Sequence, residues 1–323
     1  MIREAHILAT QTRPIAWGAR FHLLKTASAS IKHKAAMTTD RTGHLERTAQ
    51  EPRDESLHTV TLSRVDQVNE RVRLIRLSLQ SPISFAPGQW LDTYVPDTAK
   101  PGGFTLTSPP SAAAAMAPSP YLELAVQASP ENPAAAWLWR PVPELLGSTL
   151  GVRVGGSFVF PPAGTPGPEL RRVVLVAGGV GINPLMSMMS AMADDGFSGD
   201  VQLLYAAKVA AGGLAEVLFV PRIAALFRER RLRGRPQVFA TDTSSPASDL
   251  VHDLGDELNK AQFEIHVRRF GPDDLKGAVG HDRDSCLVYV CGPPTMTDEV
   301  VGILTSADGV GLEERQVMTE KWW

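Results

Sequence analysis

Six consecutive residues, Gly179-Val180-Gly181-Ile182-Asn183-Pro184, form the corner of this 323-residue chain best suited to chemistry. They follow an apolar run, Val173 to Ala177, and Gly178, and they precede a segment with apolar side chains at helical spacing. Pro184 suits the first helical position, where its missing N–H would be unpaired in any case, and Asn183 before it can cap. Gly178, Gly179 and Gly181 let the backbone turn sharply and approach a ligand with no Cβ in the way. Free N–H groups and the helix dipole then face the crevice, which favours a phosphate. The spacing is Gly-Gly-x-Gly and departs from the Gly-x-Gly-x-x-Gly of many dinucleotide sites. A structural glycine turn without a ligand is the plain alternative. Met186, Met188, Met189 and Met192 behind it read as core packing.

Such a corner needs a sheet to hold it. From Arg171 onward "VVLVAG", "VQLLYAAK", "PQVFATD" and "SCLVYVCG" read as strands. Helices are expected near Pro184, over "AEVLFVPRIAALFRER" and over "TMTDEVVGIL", and "RQVMTEKWW" ends the chain. Continuously apolar strands in βα units mean a parallel sheet covered on both faces, with ligands outside the carboxyl ends of its strands. Earlier, "HTVTLSRVDQV", "VRLIRLSLQ" and "YLELAVQ" alternate with period two, and "FAPGQWLDTYVP" and "GVRVGGSFVFPP" bring Gly and Pro turns. That rhythm predicts a small antiparallel β-barrel, with "SAAAAMAPSP" as an exposed loop. The expected architecture is two-domain: a β-barrel over residues 57–165 and a C-terminal α/β doubly wound parallel sheet over 170–323, joined by "PPAGTPGPEL".

Bulk properties narrow the function. A chain of 323 residues exceeds the size at which one core usually keeps growing. A net charge of −3 with 21% charged residues gives no reason to expect nucleic acid or an anionic membrane as partner. No apolar stretch approaches the roughly 20 residues that cross a bilayer, so no transmembrane segment is expected. Two cysteines, Cys286 and Cys291, are fewer than the about four thiolates of a plant-type iron–sulfur cluster. Five positions apart on one strand, they stand roughly 16 Å apart, beyond disulfide reach. The histidines show no metal-ligand spacing. Residues 1–39 carry Arg3, Arg13, Arg20, Lys25, Lys32 and Lys34 against Glu4 alone, a composition that suits a mitochondrial transit peptide and hence a mitochondrial location. A basic tail with no address is the alternative. Residues 40–56, polar and mixed in charge, read as linker.

Two motifs in order carry a resemblance. Gly179 to Pro184 resembles the pyridine-nucleotide pyrophosphate motif of the ferredoxin–NADP reductase superfamily, Gly-Thr/Val-Gly-Ile-x-Pro. "CGPPTM", Cys291 to Met296, resembles that superfamily's Cys-Gly-Pro-Pro-x-Met, whose cysteine lies beside the nicotinamide. "FAPGQWL" resembles its barrel motif Phe-x-Pro-Gly-Gln-Phe/Trp, and together the matches span about Leu57 to Trp323. The resemblance implies a flavin-dependent oxidoreductase with NAD and FAD as cofactors. NADH would lie across Gly178 to Pro184, bordered by Cys291, Gly292 and Pro293. Its hydride would pass to a flavin held between Phe104 and Thr105, and single electrons would leave to an unknown acceptor. Thr105 and Cys291 are the implied catalytic residues.

The flavin motif departs from the pattern. Where the superfamily has Arg-x-Tyr-Ser, this chain has Gly102-Gly103-Phe104-Thr105, continuing Leu106-Thr107-Ser108. Phe104 can stack and Thr105 can donate, but Gly102 stands where the arginine grips the FAD pyrophosphate. The second motif, Gly-x-x-Ser-x-x-Leu, corresponds to Asn132 to Trp139, with neither Gly nor Ser. FAD, FMN and no flavin all remain open at this point. A nucleotide-binding sensor or assembly protein of the same fold, without redox turnover, is the competing reading. Trp322 and Trp323 either anchor a last strand or, as in plant-type relatives, place Trp323 over the flavin face. Asp242, where plant-type relatives carry an arginine for the 2′-phosphate, implies NADH over NADPH.

Overall fold

The computed structural model describes residues 43–162, 170–210, 212–243, 245–251 and 254–321. Residues 1–39 and Trp323, on which the transit-peptide and flavin-cover expectations fall, lie outside the described residues. Alternating side chains pair β1 (His58–Asn69) antiparallel with β2 (Val72–Leu79), setting Leu62 opposite Leu77 and Val65 opposite Ile75. With β3 (Trp90–Tyr94), β4 (Gly102–Thr105), β5 (Tyr121–Gln127) and β6 (Thr149–Gly155) they form one sheet in the order β4-β3-β6-β1-β2-β5. The two ends of that order meet. Leu106 bridges Leu124, and the Thr107 N–H donates to the Glu123 carbonyl at 2.9 Å. The barrel is filled by Leu62, Ile75, Leu91, Leu106 and Leu124, all fully buried.

Short helices α1 (His44–Arg47), α2 (Pro133–Leu138) and α3 (Val142–Leu145) accompany the barrel. The first lies within residues 40–56, which the sequence presents as linker. His44 Nε2 lies 2.9 Å from Asp92 Oδ1 on β3, and Arg53 Nε lies 3.0 Å from Asp92 Oδ2. Polar composition there reflects ion pairing onto the barrel wall. In the expected loop, Pro110–Ala113 makes a 3₁₀ turn that buries Ala113.

The second sheet is parallel throughout: β7 (Arg172–Gly178), β8 (Asp200–Lys208), β9 (Arg233–Thr241), β10 (Glu264–His266), β11 (Cys286–Gly292) and β12 (Val317–Lys321), in the order β10-β9-β8-β7-β11-β12. Helices α4 (Ile182–Asp194), α5 (Val220–Arg228), α6 (Ala247–Leu250), α7 (Gly255–Lys260), α8 (Pro272–Val279) and α9 (Pro294–Thr305) cover it. Val173, Leu175 and Ala177 pack with α4 and α5, while Val174 and Val176 pack with α8 and α9. The single helix expected around residues 215–230 is two pieces, a 3₁₀ turn over Gly213–Glu216 and then α5, separated by Phe219 at φ 65°.

Polar contacts join barrel to sheet. Arg222 on α5 makes a bidentate pair with Glu123 on β5, at 2.7 and 3.1 Å. Ser187 Oγ donates to the Ser108 carbonyl at 2.8 Å, and Tyr289 Oη donates to the Val159 carbonyl at 3.0 Å. Val72, Ala125 and Phe158 of the barrel continue the apolar core of the parallel sheet. Among the described residues no helix is long and apolar enough to cross a membrane, and no His/Cys/Asp/Glu group could hold a metal ion.

Candidate functional site: a cleft between barrel and parallel sheet

Chain order reverses between β7 and β11, and open parallel sheets bind ligands at such a point. β7 ends at Gly178 and β11 at Gly292, so the two sequence motifs emerge side by side, with Cys291 in register with Ala177. They are packed into each other. A Cβ on Gly178 would come within 2.6 Å of Met296 Sδ and 2.9 Å of Pro293 Cδ, and one on Gly292 within 3.1 Å of the Gly178 nitrogen.

The glycines divide the work differently from expectation. Gly179, at φ +55°, has open space where a side chain would be and faces the cleft. Gly181 does not border the ligand space; a Cβ there would overlap the carbonyl of Cys291. It is the close approach of α4 to β11 that requires that glycine. Helix α4 starts at Ile182, so Pro184 is its third residue, still within the turn whose N–H groups lack intrahelical partners. Nor does Asn183 cap. Its Nδ2 donates to the Ala125 carbonyl of β5 at 3.0 Å, tying the corner to the barrel, while its buried Oδ1 has no partner. No side chain caps this 13-residue helix; it continues the 3₁₀ turn Gly179–Gly181, whose Gly179 and Val180 carbonyls accept the backbone N–H groups at its start, so the glycine turn itself is the part that can meet an anion.

A cleft of about 1020 Å³ lies between the two sheets. Gly178, Gly179, Val180 and Asn183 line one side, Phe104 and Thr105 the opposite one, and Pro293 to Met296 the floor. Gly181, Ile182, Pro184 and Gly292 lie buried behind that lining. Cys291 is fully buried within the sheet's core, so its side chain is not the cleft border the motif suggests. Cys286, on the same strand, is also buried, and burial pushes its thiol up to about 12.

On the barrel side, Thr105 is 1% exposed and its Oγ1 has no hydrogen-bond partner. An unpaired buried hydroxyl at a cleft wall fits a ligand that would accept or donate there. Phe104, a barrel-core residue 8% exposed, lines the cleft beside it. The next three residues, also expected to meet the cofactor, have partners in the barrel. Leu106 fills the barrel, Thr107 Oγ1 donates to Glu123, and Ser108 Oγ accepts from the Glu123 N–H at 3.1 Å. Gly102 is closed rather than vacant: a Cβ there would lie 2.6 Å from Ala134 Cβ and 2.7 Å from the Phe104 ring. The start of α2, the second flavin motif by position, is already satisfied, since Asn132 Oδ1 accepts from the N–H groups of Ala134 and Ala135.

Asp242 follows β9, at φ 60°. Its carboxylate lies 2.8 Å from Lys208 Nζ, and that hydrogen bond and charge hold it below the usual carboxylate range. The pair sits in a 300 Å³ side pocket with Thr243, Arg268 and Arg269, and Lys208, Thr241 and Arg269 belong to both pocket and cleft. Arg268 is committed to Asp274 at 2.6 and 2.7 Å. The carboxylate read from the sequence as repulsive to a phosphate is therefore paired with a cation on the exposed surface. Arg47, Arg71, Arg269, Phe270 and Glu299 also line the cleft, and no motif flags them.

A closed antiparallel barrel facing a parallel sheet across a switch-point cleft defines the ferredoxin reductase-like class of two-domain proteins. A ferredoxin NADP+ reductase from Neisseria gonorrhoeae, solved with bound FAD and NADP, is similar with a TM-score of 0.58 at 16% identity, over 84% of this chain and 100% of that one. The family model for the oxidoreductase NAD-binding domain matches residues 175–301. Oxidoreductase NAD-binding domain-containing protein 1 of Xenopus tropicalis is 33% identical over 91% of this chain and 88% of its own length. That of Danio rerio is 32% identical over 88% and 98%. The chain belongs to this family.

Proposed function

We propose that this protein is a flavin-dependent oxidoreductase that uses NADH and passes electrons to a further acceptor. The observation that carries the reading is the shared cleft: the open Gly179 corner and the unpaired Thr105 hydroxyl beside Phe104 border one volume. A flavin bound there supplies hydride acceptance and one-electron release, while the protein contributes binding, orientation and exclusion of water. Phe104 stacks against an aromatic ring, and Thr105 Oγ1 hydrogen-bonds at its edge. Gly179 and Val180, in the turn that leads into α4, receive a pyrophosphate. Pro293 to Met296 shape the floor for the nicotinamide, and Asp242 accepts from a ribose hydroxyl while Lys208 holds it in place.

The competing reading, a nucleotide-binding protein without turnover, rested on Gly102. Packing of Ala134 against that position gives the glycine a structural reason. The absorption spectrum of the protein after incubation with FAD or FMN separates the two. Flavin bands that survive gel filtration support the oxidoreductase, and their absence supports the competitor. The basic segment 1–39 supports a mitochondrial location, tested by imaging the full chain against one lacking that segment.

A further inference from the structure

We propose that Arg47, carried by the helix before the barrel, binds a phosphate group of the flavin cofactor; the proposal rests on the flavin reading above. The starting point is a wall with no room for its own cation. Gly102 is blocked by Ala134 and by the Phe104 ring, so no long side chain can leave β4 there. The first turn of α2 gives no substitute, because Asn132 takes two of its N–H groups and Pro133 has none.

The neighbouring glycine shows what fills the gap. The space a Gly103 side chain would occupy holds the imidazole of His44, so α1 lies directly on β4. Contacts of His44 and of Arg53 fix the segment there. His44 Nε2 bonds Asp92 Oδ1 at 2.9 Å, and its ring meets Trp90 edge-on at 4.8 Å. Arg53 reaches the other Asp92 oxygen at 3.0 Å and covers the Trp90 ring at 4.9 Å. Arg153 completes the set from β6 at 2.6 Å. Asp92 is fully buried, so this anchoring does not depend on a solvated surface pair.

One turn beyond His44, Arg47 lines the cleft together with Gly103, Phe104, Thr105 and Asn132. No carboxylate among the described residues pairs with it. The nearest acid on its own helix, Glu46, is taken up by Lys100 at 3.4 Å and by the Gly43 N–H at 3.2 Å. A guanidinium presents five donors in a plane that matches a phosphate, and it stays charged at any relevant pH. The other cleft cations are placed elsewhere. Lys208 is bound to Asp242, Arg269 lies beside it at the nucleotide end, and Arg71 enters from the β1–β2 turn beside Ala128.

The test compares FAD, FMN and riboflavin binding to the full chain, for wild type and Arg47→Ala, by quenching of flavin fluorescence. Riboflavin has no phosphate and reports ring binding alone. A charge-assisted hydrogen bond implies a loss of about tenfold to a hundredfold for FAD and FMN, with riboflavin changed less than about twofold. Arg47→Lys recovers part of that loss. Because Arg47 is exposed, thermal unfolding of Arg47→Ala should match wild type. Unchanged FAD and FMN affinity in a wild type that binds them overturns the proposal alone, as does an equal loss for riboflavin. Failure of wild type to bind any of the three overturns the flavin reading and this proposal with it.

Discussion

Gly181 lies against the carbonyl of Cys291, so closely that a β-carbon on the glycine would overlap it. That contact joins the start of α4 to the end of β11 and sets the two motifs side by side at the switch point. Gly179, two residues earlier, has nothing within 4 Å of the same position. The two glycines should therefore respond differently to the same substitution.

Gly181→Ala is expected to destabilise by roughly 3 kcal/mol, as overpacking against backbone does at its upper range. Gly179→Ala should cost only about 1 kcal/mol, for a left-handed residue with a Cβ, yet weaken NADH binding at least severalfold. Thermal unfolding and calorimetric titration of both variants check this. Equal stability of the two variants would contradict the assignment.

Thr105→Val should move stability and binding in opposite directions. Removing an unpaired buried hydroxyl stabilises the flavin-free protein by about 1 kcal/mol, while flavin affinity falls by about fivefold or more for the lost hydrogen bond. A drop in stability would show instead that the hydroxyl has a partner within the fold.

Asp92 titrates as the keystone of the segment before the barrel. Burial alone would raise its pKa, but hydrogen bonds from His44, Arg153 and Arg53 overcome this and hold it at about 2, below the ordinary 3.8. A depressed carboxylate contributes stability that is fully present above its unfolded value and lost as pH falls through the folded one. The shift corresponds to about 2 kcal/mol, disappearing between roughly pH 4 and pH 2. Asp92→Asn should be less stable at neutral pH and show a shallower decline across that window in denaturant titrations. An identical acid profile for the variant would refute this role.

Asp242→Asn releases Lys208 from its 2.8 Å ion pair, next to Arg269. The ratio of NADPH to NADH affinity should rise about tenfold at low salt and less at high salt, as exposed charges are screened. Binding constants for both nucleotides at two ionic strengths measure it. A ratio that stays fixed would place the ribose away from this pocket.

The sequence made the sheet legible because its strands are apolar end to end, and the barrel legible because its strands alternate. The corner at Gly179 to Pro184 was legible as a motif, but the role of each glycine was not. Whether a Cβ meets open space or the backbone of Cys291 depends on a strand about 110 positions away. Leu106, Thr107 and Ser108 follow the flavin motif in sequence yet turn into the barrel seam, where they pair with Leu124 and Glu123. The contacts of the segment before the barrel were illegible for the same reason. His44, Arg53 and Asp92 are 48 and 39 positions apart, and no local pattern announces that they meet.

The most direct measurement is the visible spectrum of the flavin-loaded protein mixed with NADH in the absence of oxygen. A cleft that brings the Gly179 corner and the Phe104–Thr105 wall together should let NADH bleach the flavin bands, and a later oxidant should restore them. Bands that persist under excess NADH, in protein that binds both molecules, would contradict hydride transfer across this cleft.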